Sequence, residues 1–326
     1  MISSVLVPLD GSPESEQAIP YAQAVSPDGG GILLVSVVPD QGALVANDPR
    51  HTEWQRTVSP GQEAPYAGEL HAARAGLHQV IARTGDPRLT WSIAVAQGDP
   101  AALILKAIAQ QDIGLVVMST HGRGAFARAI FGSVADRLVR TSPVPVLLVR
   151  PDMAATQSGP VAIDRILVPL DGSELSEAAL PVATELAQLL GIPVQLIRAT
   201  NSTSVLATFG GSGPFFVAPP VDVYEQMATE LEDTATAYLS EIATRLRDEG
   251  VDASWEVRDG SPYAEIVNAV QPGDLLVMTS HGRGGVMRWL LGSVAEKLVR
   301  DAPAPVLLVP AADRGTEPAG AEAEDR

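Results

Sequence analysis

The chain repeats itself at a distance of about 160 residues, and this repeat limits its fold more than any other feature. Val5-Leu6-Val7-Pro8-Leu9-Asp10-Gly11-Ser12 returns as Ile166-Leu167-Val168-Pro169-Leu170-Asp171-Gly172-Ser173. His121–Val149 returns as His281–Val309 with 18 of 29 positions identical, which is a duplication and not chance. Solenoid repeats have periods of roughly 20–50 residues, so each copy here is a whole domain. The expected division is a first domain over 1–150, a linker over 151–164 rich in Ala, Ser, Gly and Pro, a second domain over 165–312, and a disordered acidic tail over 313–326.

Each copy reads as strands alternating with helices. In the first, the pattern predicts strands over Ser4–Leu9, Ile32–Val38, Leu89–Ala96, Ile113–Ser119 and Pro145–Arg150. Helices are predicted after Ser12, over Gln62–Thr84 and Pro100–Gln110, and from about Ser133. Ser12 and Ser173 are natural N-caps, and Pro13 suits the first helical position. Runs such as Leu115-Val116-Val117-Met118 and Val146-Leu147-Leu148-Val149 suit strands buried on both faces of a parallel sheet. Strand–helix alternation then predicts two tandem doubly wound, Rossmann-like α/β domains, whose ligands sit outside the carboxyl ends of the strands.

The candidate site motifs fall at those ends. Strand four of the first copy runs into Ser119-Thr120-His121-Gly122-Arg123-Gly124 and then Gly132-Ser133-Val134. The second copy has Thr279-Ser280-His281-Gly282-Arg283-Gly284 and then Gly292-Ser293-Val294. Glycine after a buried strand allows positive φ and close approach of a ligand. Successive backbone N–H groups in such a turn form an anion nest, and a helix opened by Gly-Ser offers uncapped N–H groups to a phosphate. Charge-assisted hydrogen bonds of roughly 1.5–3 kcal/mol each can hold a triphosphate against an acidic surface. Arg123 and Arg283 add local positive charge, and Asp10 and Asp171 supply acceptors suited to a ribose hydroxyl. A structural reading stands beside each of these: glycines also turn chains, Gly-Ser also opens helices, and an Asp at a strand end also forms an Asx turn.

Composition closes off other classes. The formal net charge of −17 repels a nucleic-acid backbone. The chain has no cysteine, so disulfides, thiolate metal sites and cysteine nucleophiles are excluded. No apolar run approaches the ~20 residues of a membrane span, and the beginning MISSVLVPLDGS lacks the features of a signal peptide. A cytoplasmic protein without membrane attachment is expected.

Taken in order and twice over, the Val-Pro-Leu-Asp-Gly-Ser start, the Ser/Thr-His-Gly-Arg-Gly loop, the Gly-Ser-Val after nine residues and the Pro-Val-Leu-Leu-Val ending resemble the universal stress protein family in its tandem form. The resemblance covers nearly all of both copies. It implies a five-stranded parallel sheet in each domain, pairing of the two last strands, Pro145–Arg150 and Pro305–Pro310, within one molecule, and a homodimer as a further possible assembly. The family's ATP-binding branch carries Gly-x2-Gly-x9-Gly-Ser/Thr. Its second and third glycines match Gly122 and Gly132 with Ser133, and Gly282 and Gly292 with Ser293. Ser119 and Thr279 stand where the first glycine is usual, and either offers the same N–H if its φ stays negative. By the same resemblance Asp10 and Asp171 match the ribose contact, and Val37 and Ala199 the adenine-facing position. The ligand implied is ATP, with or without Mg²⁺.

These readings lead to an ATP-binding stress-response or signalling module with little or no hydrolysis. No Gly-x4-Gly-Lys-Ser/Thr loop occurs, which argues against a P-loop kinase or motor. The alternative is a chaperone-like or scaffolding protein that needs no nucleotide, its partner unspecified by the sequence.

Overall fold

A computed structural model describes residues 2–39, 67–120, 132–151, 161–202, 221–280 and 291–310. The first half contains β1 (Ser4–Pro8), α1 (Pro13–Glu16), α2 (Ala18–Ala24), β2 (Gly31–Val38), α3 (Ala67–Thr84), β3 (Thr90–Gln97), α4 (Pro100–Gln110), β4 (Leu115–Ser119), α5 (Ser133–Thr141) and β5 (Val146–Val149). The second half contains β6 (Arg165–Pro169), α6 (Glu174–Glu177), α7 (Leu180–Leu190), β7 (Val194–Thr200), α8 (Val221–Asp248), β8 (Ala253–Asp259), α9 (Pro262–Ala269), β9 (Asp274–Thr279), α10 (Ser293–Asp301) and β10 (Val306–Val309).

Each half is a doubly wound parallel sheet, and the halves join into one ten-stranded sheet in the order β3-β2-β1-β4-β5-β10-β9-β6-β7-β8. The seam is antiparallel: Val306 faces Leu148, Leu307 faces Leu147 and Leu308 faces Val146. Leu147 and Leu307, equivalent residues of the two copies, face each other, so the internal two-fold passes between them. Both are completely buried. The pairing removes the edge each half would otherwise expose. Arg150 Nη1 donates to the Arg300 carbonyl at 2.7 Å across the seam.

Successive strand residues point to opposite faces, and both faces are covered. Val5, Val7, Ile166 and Val168 join a core with residues of α2, α7 and α8. Leu6 and Leu167 join a second core with residues of α4, α5, α9 and α10. Each core is continuous across both halves.

The single helix expected after Ser12 is two short ones. Helix α1 stops at Glu16 and α2 starts at Ala18; α6 and α7 break in the same place. Pro20 and Pro181 explain it: a proline lacks the N–H that would bond four residues back, and its ring crowds that carbonyl, here of Glu16 and Glu177. Helix α4 has the predicted bounds because Asp99 caps it, accepting from Ala102 N at 2.9 Å, with Pro100 at the first turn. The last residues of the expected linker are packed: Val161 and Ile163 lie against the core, and Asp164 N bonds the Gly273 carbonyl at 2.8 Å. The start of the helix expected from Gln62, most of the linker and the acidic tail fall outside the described residues.

Candidate functional site

In each half the second strand of the fold lies on one side of the first, and the fourth on the other. That is the switch point of a doubly wound sheet, where a crevice opens at the carboxyl edge. Register places the candidate residues around it. Leu9 N bonds the Val35 carbonyl at 2.8 Å, which sets Asp10 beside Val37. Val5 pairs with Leu115 and Leu6 with Val116, so Asp10 comes level with Thr120, just past Ser119. In the second half, Leu170 N bonds Ile197 O at 2.8 Å and Ile166 pairs with Leu275, bringing Asp171, Ala199 and Thr279 to the same edge.

The turn after the first strand is nearly the same in both halves. Gly11 and Gly172 have φ of 76° and 83°, the left-handed region where a side chain is strained. Asp10 Oδ1 accepts from Ser12 N at 2.9 Å and Ser12 Oγ at 2.5 Å; Asp171 Oδ1 accepts from Ser173 N and Oγ at the same distances. Ser12 Oγ accepts from Ser15 N, and Ser173 Oγ from Ser176 N, each at 3.2 Å. One carboxylate oxygen of each aspartate is therefore engaged in an Asx turn that leads into the capped helix. Asp10 is exposed, whereas Asp171 is half-buried.

Ser119 and Thr279 end their strands, buried, and neither has a positive φ. Their backbone thus meets the condition under which Ser or Thr can replace the usual glycine. The next residues close the site: Gly132 N donates to the Thr120 carbonyl at 2.9 Å, and Gly292 N to the Ser280 carbonyl at 2.8 Å. These bonds bring the start of α5 and α10 up to the ends of β4 and β9.

Helices α5 and α10 begin differently from α1, α4 and α6. Ser12, Asp99 and Ser173 cap their helices with a side chain, but Gly132 and Gly292 offer none. Nor does the backbone demand glycine at 132: its φ is −64°. A methyl group there would lie 3.7 Å from the Thr120 carbonyl oxygen, an ordinary contact and the nearest among the described residues. A glycine N-cap brings no side-chain acceptor of its own to the first-turn N–H groups. Ser133 and Ser293, at the first helical position, are exposed, and Val134 and Val294 pack toward the core.

Val37 is half-buried against the α4 side of the sheet, and Ala199 occupies the same register in β7. Gly122, Arg123, Gly282 and Arg283, with His121 and His281, lie outside the described residues.

Two features of the second half escaped sequence reasoning. Arg198 stacks on Tyr238 with its guanidinium carbon 5.0 Å from the ring centroid, and Tyr238 Oη donates to Glu177 Oε1 at 3.0 Å. Burial, and then the Glu177 charge, push the Tyr238 hydroxyl far above the usual phenol range. At the ends of β7 and β8, Asp259 accepts from Ser202 N at 3.0 Å and Ser202 Oγ at 2.6 Å. The Ser202 amide, followed by its hydroxyl, holds the Asp259 carboxyl below the ordinary carboxylate range. Aligning the copies gives the one usable signal, since Ser36 and Gln97 stand at the positions of Arg198 and Asp259.

Among the described residues no group of three or more His, Asp or Glu side chains is placed to hold a metal ion, and no helix is long and apolar enough to cross a membrane.

Comparison with known proteins agrees with this architecture. A universal stress protein of Mycobacterium tuberculosis is 32% identical over 197 residues, covering 60% of this chain; the match spans about three-fifths (61%) of that relative's length. A universal stress protein of Mycolicibacterium smegmatis is 25% identical over 308 residues, 94% of this chain and 96% of the relative. The crystal structure of a universal stress protein from Archaeoglobus fulgidus superposes with a TM-score of 0.61 at 19% identity, covering 96% of this chain and all of that one, a likeness of fold. The model of the universal stress protein family matches residues 1–150 and again 162–310. With both halves accounted for in this way, the chain belongs to the universal stress protein family.

Proposed function

We propose that each half binds an adenine nucleotide, ATP with or without Mg²⁺, as a regulatory ligand, and that the protein is a nucleotide-dependent stress-response or signalling module with little or no hydrolysis. The two units are residues 1–150 and 165–312. The observation that carries the reading is the N-terminus of α5. Glycine caps the helix where neither φ nor packing among the described residues asks for it, and its N–H bonds the Thr120 carbonyl at the end of the fourth strand. A side chain at 132 would stand between a ligand and the first-turn amides, where a phosphate is favoured. The glycine cap with ordinary φ and the bond back to the strand end recur at Gly292.

In this reading the N–H groups of Ser133, Val134, Ser293 and Val294 and the glycines and arginines of the Gly122-Arg123 and Gly282-Arg283 loops take the phosphates. Asp10 and Asp171 take the ribose, the backbone of Ser119 and Thr279 lies near it, and Val37 and Ala199 face the adenine. The identity of the base comes from resemblance to the family's ATP-binding branch. The Asx turns at Asp10 and Asp171 favour a second reading, in which both motifs are purely structural and the protein acts as a nucleotide-independent scaffold.

Calorimetry with ATP decides between them. The expected stoichiometry is two per chain, falling to one with Gly132→Glu or Gly292→Glu and to none with both, while far-ultraviolet circular dichroism is unchanged. Absence of binding by the parent protein, and of adenine nucleotide in the supernatant of the denatured protein, would leave the scaffold reading. We place the protein in the cytoplasm, with a homodimer as its expected assembly; fractionation and light scattering test these points.

A further inference from the structure

The ten-stranded sheet ends on β3 at one side and on β8 at the other, and the two edges are finished differently. Thr90 N donates to the Gly30 carbonyl at 2.9 Å and Gly98 N to the Val38 carbonyl at 3.0 Å, so the even-numbered residues of β3 bond β2. The N–H and C=O groups of Trp91, Ile93, Val95 and Gln97 therefore point away from the sheet. No hydrogen bond among the described residues reaches them. The side chains of Trp91, Ile93 and Val95 pack on the core that holds α3, and Ala94 packs on the opposite face. Over its eight residues, Thr-Trp-Ser-Ile-Ala-Val-Ala-Gln, β3 has no charge, proline or glycine. A long, uncharged and unbroken edge strand is a template for pairing with another chain. Strand β8 is guarded: Glu256, Arg258 and Asp259 lie along it, and Arg247 Nε takes the outward carbonyl of Ala253 at 2.9 Å.

We propose that β3 is the homodimer interface: two copies pair their β3 strands antiparallel about a two-fold at Ala94, joining two ten-stranded sheets into one. This rests on the homodimer expected above, gives it a contact surface, and does not depend on nucleotide binding. The register follows from the outward groups, because a hydrogen-bonded antiparallel pair needs an outward residue on both strands. All four outward residues are paired only when Trp91 faces the partner's Gln97 and Ile93 faces the partner's Val95, which sets Ala94 opposite the partner's Ala94. On the α3 face this register lays Ile93 against Val95, an apolar β-branched pair. On the other face it meets Ser92 with Ala96 and alanine with alanine, small residues where the strands approach closest. The occupant is a second copy because the strand is self-complementary and the contact closes on itself by a two-fold. It also brings no charge of β3 together between molecules of net charge −17. The chain already closes its other sheet edges this way, with the equivalent strands β5 and β10 antiparallel and Leu147 facing Leu307.

The test uses the full chain, whose lack of cysteine lets a single thiol report the contact. Light scattering of the concentrated protein should give twice the 34.0 kDa of one chain, with or without ATP. Ala94→Cys places two thiols across the two-fold, where the Cα atoms of a non-hydrogen-bonded pair lie about 4.5 Å apart, within the ~4.4–6.8 Å that a disulfide spans. Mild oxidation should link this variant into dimers at least about fivefold more than Ser92→Cys, whose two copies of residue 92 lie about 13 Å apart in this register, or than Ser254→Cys on β8. Val95→Pro removes an outward N–H at the centre of the ladder and no bond within the chain. It should raise the dimer dissociation constant at least about tenfold, the size of two lost hydrogen bonds, with circular dichroism unchanged. If that variant unfolds, the cysteine series decides. A monomer at every concentration overturns both the edge pairing and the homodimer. A dimer in which Ala94→Cys cross-links no more than Ser254→Cys overturns the edge pairing alone. Either result leaves the nucleotide reading intact.

Discussion

The two halves keep the same first turn and the same glycine helix start at the carboxyl edge, and differ along a row of side chains on one face of the sheet. In the first half the strand starts are plain: Ser4 and Gly114 meet through a backbone bond of 2.9 Å, and Leu33, Ala94 and Ala96 continue the same face as apolar residues under the 11-residue α4. In the second half the equivalent positions are Arg165, Asp274, Gln195, Glu256 and Arg258. Arg165 grips Asp274 with two bonds, at 2.8 and 2.6 Å, and also bonds Gln195 Oε1; Gln195 reaches Glu256 at 3.1 Å and Glu256 pairs with Arg258 at 2.8 Å. Helix α9 is shorter, 8 residues, and its terminal carbonyl at Ala269 accepts from Arg165 Nη2 at 3.2 Å. Every helix ends on carbonyls without intrahelical partners, and Arg165 donates to one of these at the end of α9. A duplicated fold can therefore diverge along one face of its sheet while the first turn and the helix start at the carboxyl edge stay alike.

The largest expected effect breaks this asymmetry. Asp274 is only 3% exposed, so Arg165→Met strands a buried carboxylate and should cost the second half about 3–5 kcal/mol in urea unfolding. Ser4→Ala at the equivalent position should cost less than ~0.5 kcal/mol, the range of ordinary substitutions. The double change Arg165→Met with Asp274→Leu should recover most of the loss, because it removes the charge along with its partner. A single-variant cost as small as that of Ser4→Ala would remove the comparison.

The seam should behave symmetrically. Leu147→Ala and Leu307→Ala each empty the same buried position on the internal two-fold, and each should cost roughly 2–5 kcal/mol. The two values should agree, and clearly unequal midpoints would mean that the halves do not share the seam evenly. Next come the caps: Ser12→Ala and Ser173→Ala should each cost about 1 kcal/mol, again alike in the two halves. The smallest effect belongs to the second half alone. The Asp259 carboxyl titrates lower when folded than the ~3.9 of an unfolded chain. Its stabilising contribution is thus complete above that unfolded value and is lost as the pH falls through the folded one. Nuclear magnetic resonance titration should show the depressed midpoint and a coupled shift of the Ser202 amide; Ser202→Ala removes only the hydroxyl's part, so the midpoint should rise part of the way while the amide at position 202 still reports the titration.

Much of the fold was legible because local signals agreed with one another. Asp99-Pro100 marks the start of α4 by its own chemistry, and apolar runs such as Leu115–Met118 have no stable place except a strand covered on both faces. The break at Gln17 was legible in principle from Pro20, but it depends on a carbonyl four residues back, and a pattern of apolar spacing does not register that. Of the site, the positions at the carboxyl edge could be read from motif order. The Asx turns, the negative φ at Ser119 and Thr279, and the bare glycine cap needed coordinates, since each concerns where one atom points.

The sequence by itself determined that this chain is two copies of one α/β unit with equivalent site motifs. Repetition and strand–helix alternation are properties of order along the chain, and they survive without geometry. The pairing of the last strands, expected from the resemblance, joins the copies into one ten-stranded sheet; only the tertiary structure decided that Arg165 caps α9 while gripping Asp274 and that Arg198 lies between Tyr238 and Gly172. Arg198 and Tyr238 are forty residues apart in the chain, and Arg165 and Asp274 more than a hundred. Their contacts follow from strand register and from helices laid across the sheet, and no local preference of the chain encodes them.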